Sequence, residues 1–144
     1  MTVTEFLKTK VPFLQGITDD QALYLAKSAE QRPYRMGQTI LMRGVSVDGL
    51  HIVAQGKVSV HVKADKSKDL VKVAELGPGD VFGETSIIEF CMASATIKAQ
   101  TDDTLVFVIS EELFRKLVAI DSDLEKRLLA LIESRRAKPA QKPS

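Results

Sequence analysis

Polar and apolar residues alternate along Val58-Ser59-Val60-His61-Val62-Lys63. Successive side chains on a strand point to opposite faces, so this stretch predicts a β-strand with one buried face. Leu50-His51-Ile52-Val53-Ala54 predicts a second strand, and Gln55-Gly56 joins the two as a tight hairpin. Leu70 to Glu75 is a third. Ala95, Ile97 and Ala99 alternate with Thr96, Lys98 and Gln100, and Leu105 to Ile109 is apolar at every position, the mark of a central strand. Turn residues fall at Arg43-Gly44, Asp65-Lys66-Ser67-Lys68, Gly77-Pro78-Gly79-Asp80 and Thr101-Asp102-Asp103. Short strands punctuated by turns at about 8–12 residues predict a β-sandwich or a jelly-roll barrel.

Both ends change to a helical period. Thr18 and Gln21 form a Thr-x-x-Gln capping box ahead of an apolar stripe over Leu23, Tyr24, Leu25 and Ala26 that runs to about Ala29. Thr4 to Lys10 predicts a short helix that stops before Pro12. After the strands, Ser110 caps a helix that starts with two glutamates. Leu113, Leu117, Ile120, Leu124, Leu128 and Leu131 keep one apolar face, broken near Asp121-Ser122-Asp123, which predicts helices over 111–119 and 122–136. The Pro- and Lys-rich tail, 138–144, is expected to fray, leaving one domain over 1–137.

The 144 residues are room for one domain that needs neither disulfide nor metal to hold a core. Twenty Lys plus Arg against nineteen Asp plus Glu give a net charge of +1. Dedicated nucleic-acid and membrane-surface binders carry a large basic excess, so neither is expected as a partner. One cysteine excludes an internal disulfide and fits a reducing compartment. No apolar run approaches the roughly 18 residues of a membrane span, and Met1 to Lys10 has no apolar signal core, so a cytoplasmic setting is expected.

The common catalytic signatures are missing, and the reading is that the chain is not an enzyme. His51 and His61 stand on strands without the further ligands a metal needs, and read as surface or sheet histidines. Asp19-Asp20 and Asp102-Asp103 read as local backbone partners at a helix start and a turn. Nothing basic adjoins Cys91 in sequence to activate its thiol. One stretch stands out, Leu76 to Ala99. Gly77 and Gly79 bracket Pro78 in a tight turn, and Gly83 permits close approach of backbone to a ligand. Thr85 to Phe90 is long enough for one or two helical turns, whose first amides at 83–86 would attract an anion. Glu84 beside them suits a sugar hydroxyl. A Gly-rich turn leading through a connecting helix into another strand explains the same residues without a ligand.

Phe82-Gly83-Glu84 followed by Ser94-Ala95-Thr96-Ile97-Lys98-Ala99 resembles the phosphate-binding cassette of the cyclic-nucleotide-binding domain family. Gly37-Gln38-Thr39-Ile40 through Gly44 is similar to the early strand and turn of that family. Leu50 to Val58 resembles its hairpin, and Val11-Pro12-Phe13-Leu14 its lead-in. The resemblance spans about residues 10–136. It implies a mainly β fold, an eight-stranded jelly roll with N-terminal helices, a short cassette helix and two C-terminal helices. It also implies that a cyclic nucleotide, cAMP or cGMP, lies inside the roll, with no other cofactor required. With Phe82 also in the ligand site, the Gly83, Thr85 and Ser86 amides would face the phosphate, Glu84 the ribose 2′-hydroxyl, and Ser94 the phosphate or base. The helix over 122–136 would move as a lid.

The family has an arginine immediately before the Ser94 position, where this chain has Ala93. Lys98, four residues on, lies about 13 Å away on an extended strand and cannot replace it. Two readings follow: a sensor that binds a cyclic nucleotide weakly, or a protein-interaction module that has lost this ligand or takes another. Either acts on a protein partner in trans, as a monomer or weak homodimer. Arg135-Arg136-Lys138 reads as a solvated basic helix end.

Overall fold

A computed structural model describes residues 2–63, 69–84, 93 and 95–137. Two helices, α1 (Val3–Thr9) and α2 (Asp19–Ser28), flank a single 3-10 turn at Pro12–Leu14. Eight strands follow among the described residues: β1 (Glu30–Tyr34), β2 (Thr39–Leu41), β3 (Gly49–Gln55), β4 (Val58–Lys63), β5 (Leu70–Leu76), β6 (Val81–Phe82), β7 (Thr96–Ala99) and β8 (Thr104–Ser110). Helices α3 (Glu111–Ile120) and α4 (Ser122–Ala137) complete them. The strands form two antiparallel four-stranded sheets, ordered β1-β8-β3-β6 and β2-β7-β4-β5. This is the eight-stranded jelly roll that the family resemblance implies, and one of the two architectures the strand spacing allows. The expected cassette helix over Thr85–Phe90 and the turn over Asp65–Lys68 lie outside the described residues.

The molecule has three layers, and the strand patterns follow from them. The first sheet is sandwiched between the helices and the second sheet. On β8, Phe107 and Ile109 join the core under the helices, while Val106 and Val108 face into the roll. On β3, Leu50 and Ile52 face the helices and Val53 faces the roll. Strands covered on both sides are near-continuous apolar runs, and β3 keeps one polar side chain, the buried His51, within its run. β4, in the outer sheet, turns Val58 and Val60 inward and keeps Ser59 and His61 on its other face.

β1 is an element the hydrophobic pattern does not mark. Glu30-Gln31-Arg32-Pro33-Tyr34 has no apolar alternation, yet Pro33 sits opposite Leu105 in register with β8. Proline lacks an amide donor, and β1 is an edge strand with one partner, so the missing bond costs little. The same pairing corrects the reading of Asp102 as a local backbone partner. Tyr34 opposite Thr104 brings the 101–103 turn against residues 35–38, where Asp102 accepts the Met36 amide at 3.1 Å. Asp103 offers its carbonyl to Gln55 at 2.9 Å. These partners are distant in sequence.

At the N-terminal end, the Thr18–Gln21 capping box forms as read. The α2 stripe is shifted: Ala22 and Leu25 are buried, whereas Leu23 and Tyr24 are 44% and 40% exposed. Only a narrow face of α2 meets α1 and α3, and residues three apart fill it. Gly79 shows why the Gly-Pro-Gly turn needs its last glycine. Its φ is +94°, and a Cβ there would stand 2.1 Å from the Lys10 carbonyl oxygen.

α4 is placed by one buried stripe, Leu124, Leu128 and Ile132, which packs into the core under the helices. The Asp121 carboxylate accepts the Asp123 and Leu124 amides, both at 3.1 Å, and so starts α4 at the predicted break. Arg127 donates to the Phe13 carbonyl at 2.9 Å and ties α4 to the N-terminal turn. No helix among the described residues is long and apolar enough to cross a membrane.

Candidate functional site

Both ends of the Gly83–Ala93 stretch hang on one segment, residues 43–51, the loop before β3 and the first residues of that strand. At the near end, β6 pairs with β3, His51 opposite Phe82 and Ile52 opposite Val81. Phe82 is buried and stacks on the His51 ring with centroids 4.8 Å apart. Gly83 then turns away with a φ of +78°. A Cβ on Gly83 would meet the Gly49 carbonyl oxygen at 2.8 Å, Val47 at 3.1 Å and the His51 Nδ1 at 3.2 Å. Only glycine lets the backbone lie this close.

At the far end, the Ala93 amide donates to the Val45 carbonyl at 2.8 Å, and the Gly44 amide donates to the Ala93 carbonyl at 2.9 Å. The Arg43 amide donates to the Thr96 hydroxyl at 3.0 Å. Ala93 is buried, so the position where the family has an arginine presents a methyl group. Thr85, Ser86 and Ser94, the other expected ligand residues, lie outside the described residues.

Among the described residues of this stretch, Glu84 carries the charge. It is buried, with its side chain 10% exposed. Arg135 on α4 donates from Nη1 to its Oε1 in a charge-assisted ion pair. This corrects the reading of Arg135 as a solvated helix end. Arg135 follows Ile132 by three residues, so it projects from near the α4 face that packs into the core under the helices. The sequence offers no signal for this contact beyond the phase of the α4 stripe. The outcome is that the cassette carboxylate and the C-terminal helix are directly joined.

The loop itself is backed by charge. Arg32 bridges Glu30 at 2.8 Å and Asp48 at 3.2 Å. The hydrogen bond from Arg32 holds the Glu30 carboxyl below its usual range, and the same pairing raises the Arg32 guanidinium. Asp48 Oδ1 stands 3.9 Å from His51 Nε2. His51 is 1% exposed, a core residue. A carbonyl only accepts, so His51 donates from Nδ1 to the Gly49 oxygen at 3.0 Å. Burial pushes its pKa below the ordinary histidine value, and the Gly49 bond and Asp48 oppose that only partly.

A pH effect follows. Below the ordinary histidine value of about 6.5 the unfolded chain takes up a proton that folded His51 resists, so the unfolded state gains as pH falls. His61, also lowered by burial and then by Lys98 and Lys72, adds in the same direction. Stability is therefore full above about pH 6.5 and is lost below it, at no more than ~1.4 kcal/mol per pH unit for one proton. His51→Phe keeps a ring against Phe82 and is expected to flatten this slope. Urea midpoints between neutral and mildly acidic pH read it, and an equal slope in both proteins contradicts the assignment.

Elsewhere on the roll, Ser59 Oγ lies 2.8 Å from His61 Nε2, but Ser59 is fully buried and also receives Gln100 at 2.8 Å. A nucleophile must reach substrate, so this pair is structural. Among the described residues no group of His, Cys, Asp and Glu is disposed to hold a metal ion.

Residues 31–121 match the family described as cyclic nucleotide-binding domain. The chain is 26% identical over 134 residues to the cAMP-dependent protein kinase type II regulatory subunit of Drosophila melanogaster, covering 93% of this chain and 35% of that protein. It superposes with a TM-score of 0.79 at 23% identity on the regulatory subunit of a cAMP-independent protein kinase A from Trypanosoma brucei. That structure is a triply substituted form, one change introducing an arginine, bound to cAMP in its A site; 96% of this chain and 47% of that one are covered. The corresponding Trypanosoma cruzi subunit, bound to guanosine, gives a TM-score of 0.76 at 23% identity over 94% of this chain and 45% of that one. The chain thus spans a third to a half of the length of these relatives, and at these identities the two structural likenesses are of fold.

Proposed function

This chain belongs to the cyclic nucleotide-binding domain family, and we propose that it is a non-catalytic regulatory module that binds a cyclic nucleotide weakly and signals through α4. The observation that carries the proposal is the ion pair between Glu84 and Arg135. Glu84 is the residue that, by the family resemblance, receives the ribose 2′-hydroxyl. A ribose arriving there must share or displace Arg135, and either outcome changes how α4 is held. The cyclic phosphate is met by the Gly83, Thr85 and Ser86 amides and the Ser94 hydroxyl. Ala93 supplies no countercharge, which makes the phosphate contact weak. The cAMP and guanosine bound by the trypanosomatid proteins share a purine riboside, the part that Glu84 addresses. A protein partner in trans reads the displaced α4, with the module itself a monomer or weak homodimer.

Hydrogen exchange tests the coupling. Saturation with cAMP is expected to alter protection at 128–136, with a smaller change at the distal hairpin around Gln55. Equal protection of α4 with and without ligand at full occupancy defeats the signalling proposal. Glu84→Ala is expected to weaken binding by about 1.5–3 kcal/mol, or roughly 10- to 150-fold. Calorimetry reads it, and an unchanged affinity means that the ribose sits elsewhere. Ala93 also favours the second reading, a protein-interaction module that does not take this ligand; absence of binding at millimolar cAMP and cGMP selects it.

A further inference from the structure

The second sheet turns one face to the roll and the other away from it. Val58, Val60, Leu76 and Ile97 point into the roll, which leaves His61, Lys72 and Lys98 on the outer face. The register sets them side by side. His61 is opposite Lys72 on β5, and Lys98 on β7 is opposite Ser59, two residues before His61 on β4. Lys63 follows on the same side of β4, opposite Leu70. The hydrogen bond from Lys72 holds the Glu75 carboxyl below its usual range, and Lys57, in the hairpin turn, adds to it. Lys72 thus pairs with Glu75, at 2.6 Å, while among the described residues Lys57, Lys63 and Lys98 form no ion pair. Four lysines against one glutamate give this face +3 on a chain of +1, so the rest of the chain carries −2.

A buried network positions the His61 ring among these amines. Ser59 is fully buried. Its Oγ receives the Gln100 side-chain amide at 2.8 Å and lies 2.8 Å from His61 Nε2 and 3.4 Å from the Lys98 carbonyl oxygen. A hydroxyl has one proton to give and two lone pairs. When His61 is neutral, Ser59 donates to Nε2. When His61 is charged, Nε2 donates to Ser59, whose proton turns to the Lys98 carbonyl. The network serves both protonation states. Among the described residues Nδ1 has no partner, and it reaches solvent. Burial, then Lys98 and Lys72, hold the His61 pKa below its ordinary value. A carboxylate bound between those lysines opposes them, so its arrival draws a proton onto His61.

We propose that this outer face is a docking surface for an acidic segment of a protein partner, with His61 at its centre. Charge complementarity selects an anion. No aromatic side chain stands on β2, β4, β5 or β7 for a nucleic-acid base to stack on. Every cation on those strands is a lysine, a point charge and not the planar fork that grips phosphate with two bonds. Leu70 is the one exposed large apolar side chain on this face, too little to enter a bilayer. The face lies across the first sheet from the helices, so a partner held here leaves α4 uncovered.

NMR titration of the nitrogen-15-labelled whole chain with a ten-residue peptide of alternating Glu and Ser, at low ionic strength, tests the surface. The largest shifts are expected at Lys57, His61, Lys72 and Lys98. Affinity is expected to rise about threefold from pH 8 to pH 6, where the peptide's carboxylates stay ionised. His61→Gln, which does not titrate, is expected to abolish that rise. Reversing Lys63 and Lys98 together to Glu is expected to weaken binding about tenfold. The same double reversal at Lys27 on α2 and Lys126 on α4 changes the net charge equally and is expected to stay within about twofold. An equal loss in that control means that net charge and not this face attracts the peptide, and overturns the inference. Absence of binding at millimolar peptide overturns it, as does a pH dependence that survives in His61→Gln. Tighter binding of decauridylate, or of phosphatidylcholine vesicles containing phosphatidylserine, at the same ionic strength also overturns it and assigns the face to RNA or to a membrane.

Discussion

Replacing Ala93 with arginine is expected to raise the affinity for cAMP and cGMP by roughly 30- to several-thousand-fold. The figure is the reverse of the about 2–5 kcal/mol lost when one partner of a desolvated charge pair is removed. Ala93 is well placed for the change. Its amide and carbonyl are both fixed to the 44–45 segment, so the new side chain starts from an anchored backbone. A guanidinium also meets a phosphate with two parallel bonds, which a lone lysine cannot match. Adenosine and guanosine gain nothing from the added cation, so the ratio of cyclic nucleotide to nucleoside affinity rises with it. Titration of both ligand classes against the Ala93→Arg protein reads the result. An unchanged cyclic nucleotide affinity in a folded variant means that position 93 does not face the phosphate.

Phe114→Ala is expected to cost about 3–5 kcal/mol of stability, the range for truncating a fully buried aromatic. For a chain of this length that lowers the melting temperature by on the order of 10 °C. Phe114 is 0% exposed and stacks on Phe13 with centroids 5.9 Å apart. It joins α3 to the N-terminal turn, and the Phe13 carbonyl receives Arg127 from α4. The cavity therefore opens beneath the helix proposed to carry the signal, and ligand affinity is expected to fall with stability. Denaturant unfolding measures the first, and a loss below about 1 kcal/mol means that the seam closes over the missing ring.

The strands and the flanking helices were legible because burial imposes a period. A strand with one covered face must alternate, as Val58 to Lys63 does, and a strand covered on both faces is a near-continuous apolar run, as Leu105 to Ile109 is. Helix ends were legible because unpaired amides need short polar partners, which Thr18, Ser110 and Asp121 supply. β1 was not legible, since an exposed edge strand places no demand on hydrophobicity and tolerates Pro33. Within the cassette, Gly83 and Glu84 stood out by residue type and spacing alone.

The sequence by itself determined a strand-rich domain between capped helices and the absence of an arginine at Ala93, because each is a property of one residue or one local period; the jelly roll itself came from the family resemblance. The tertiary structure alone decided that His51 is a buried prop beneath Phe82 and Gly83, and that one segment carries both ends of the cassette. It alone joined Arg135 to Glu84, across 51 positions of chain. An ion pair leaves no period in the sequence of either partner. Its existence depends on how α4 is seated, and that is set by the packing of Leu124, Leu128 and Ile132 in the core under the helices.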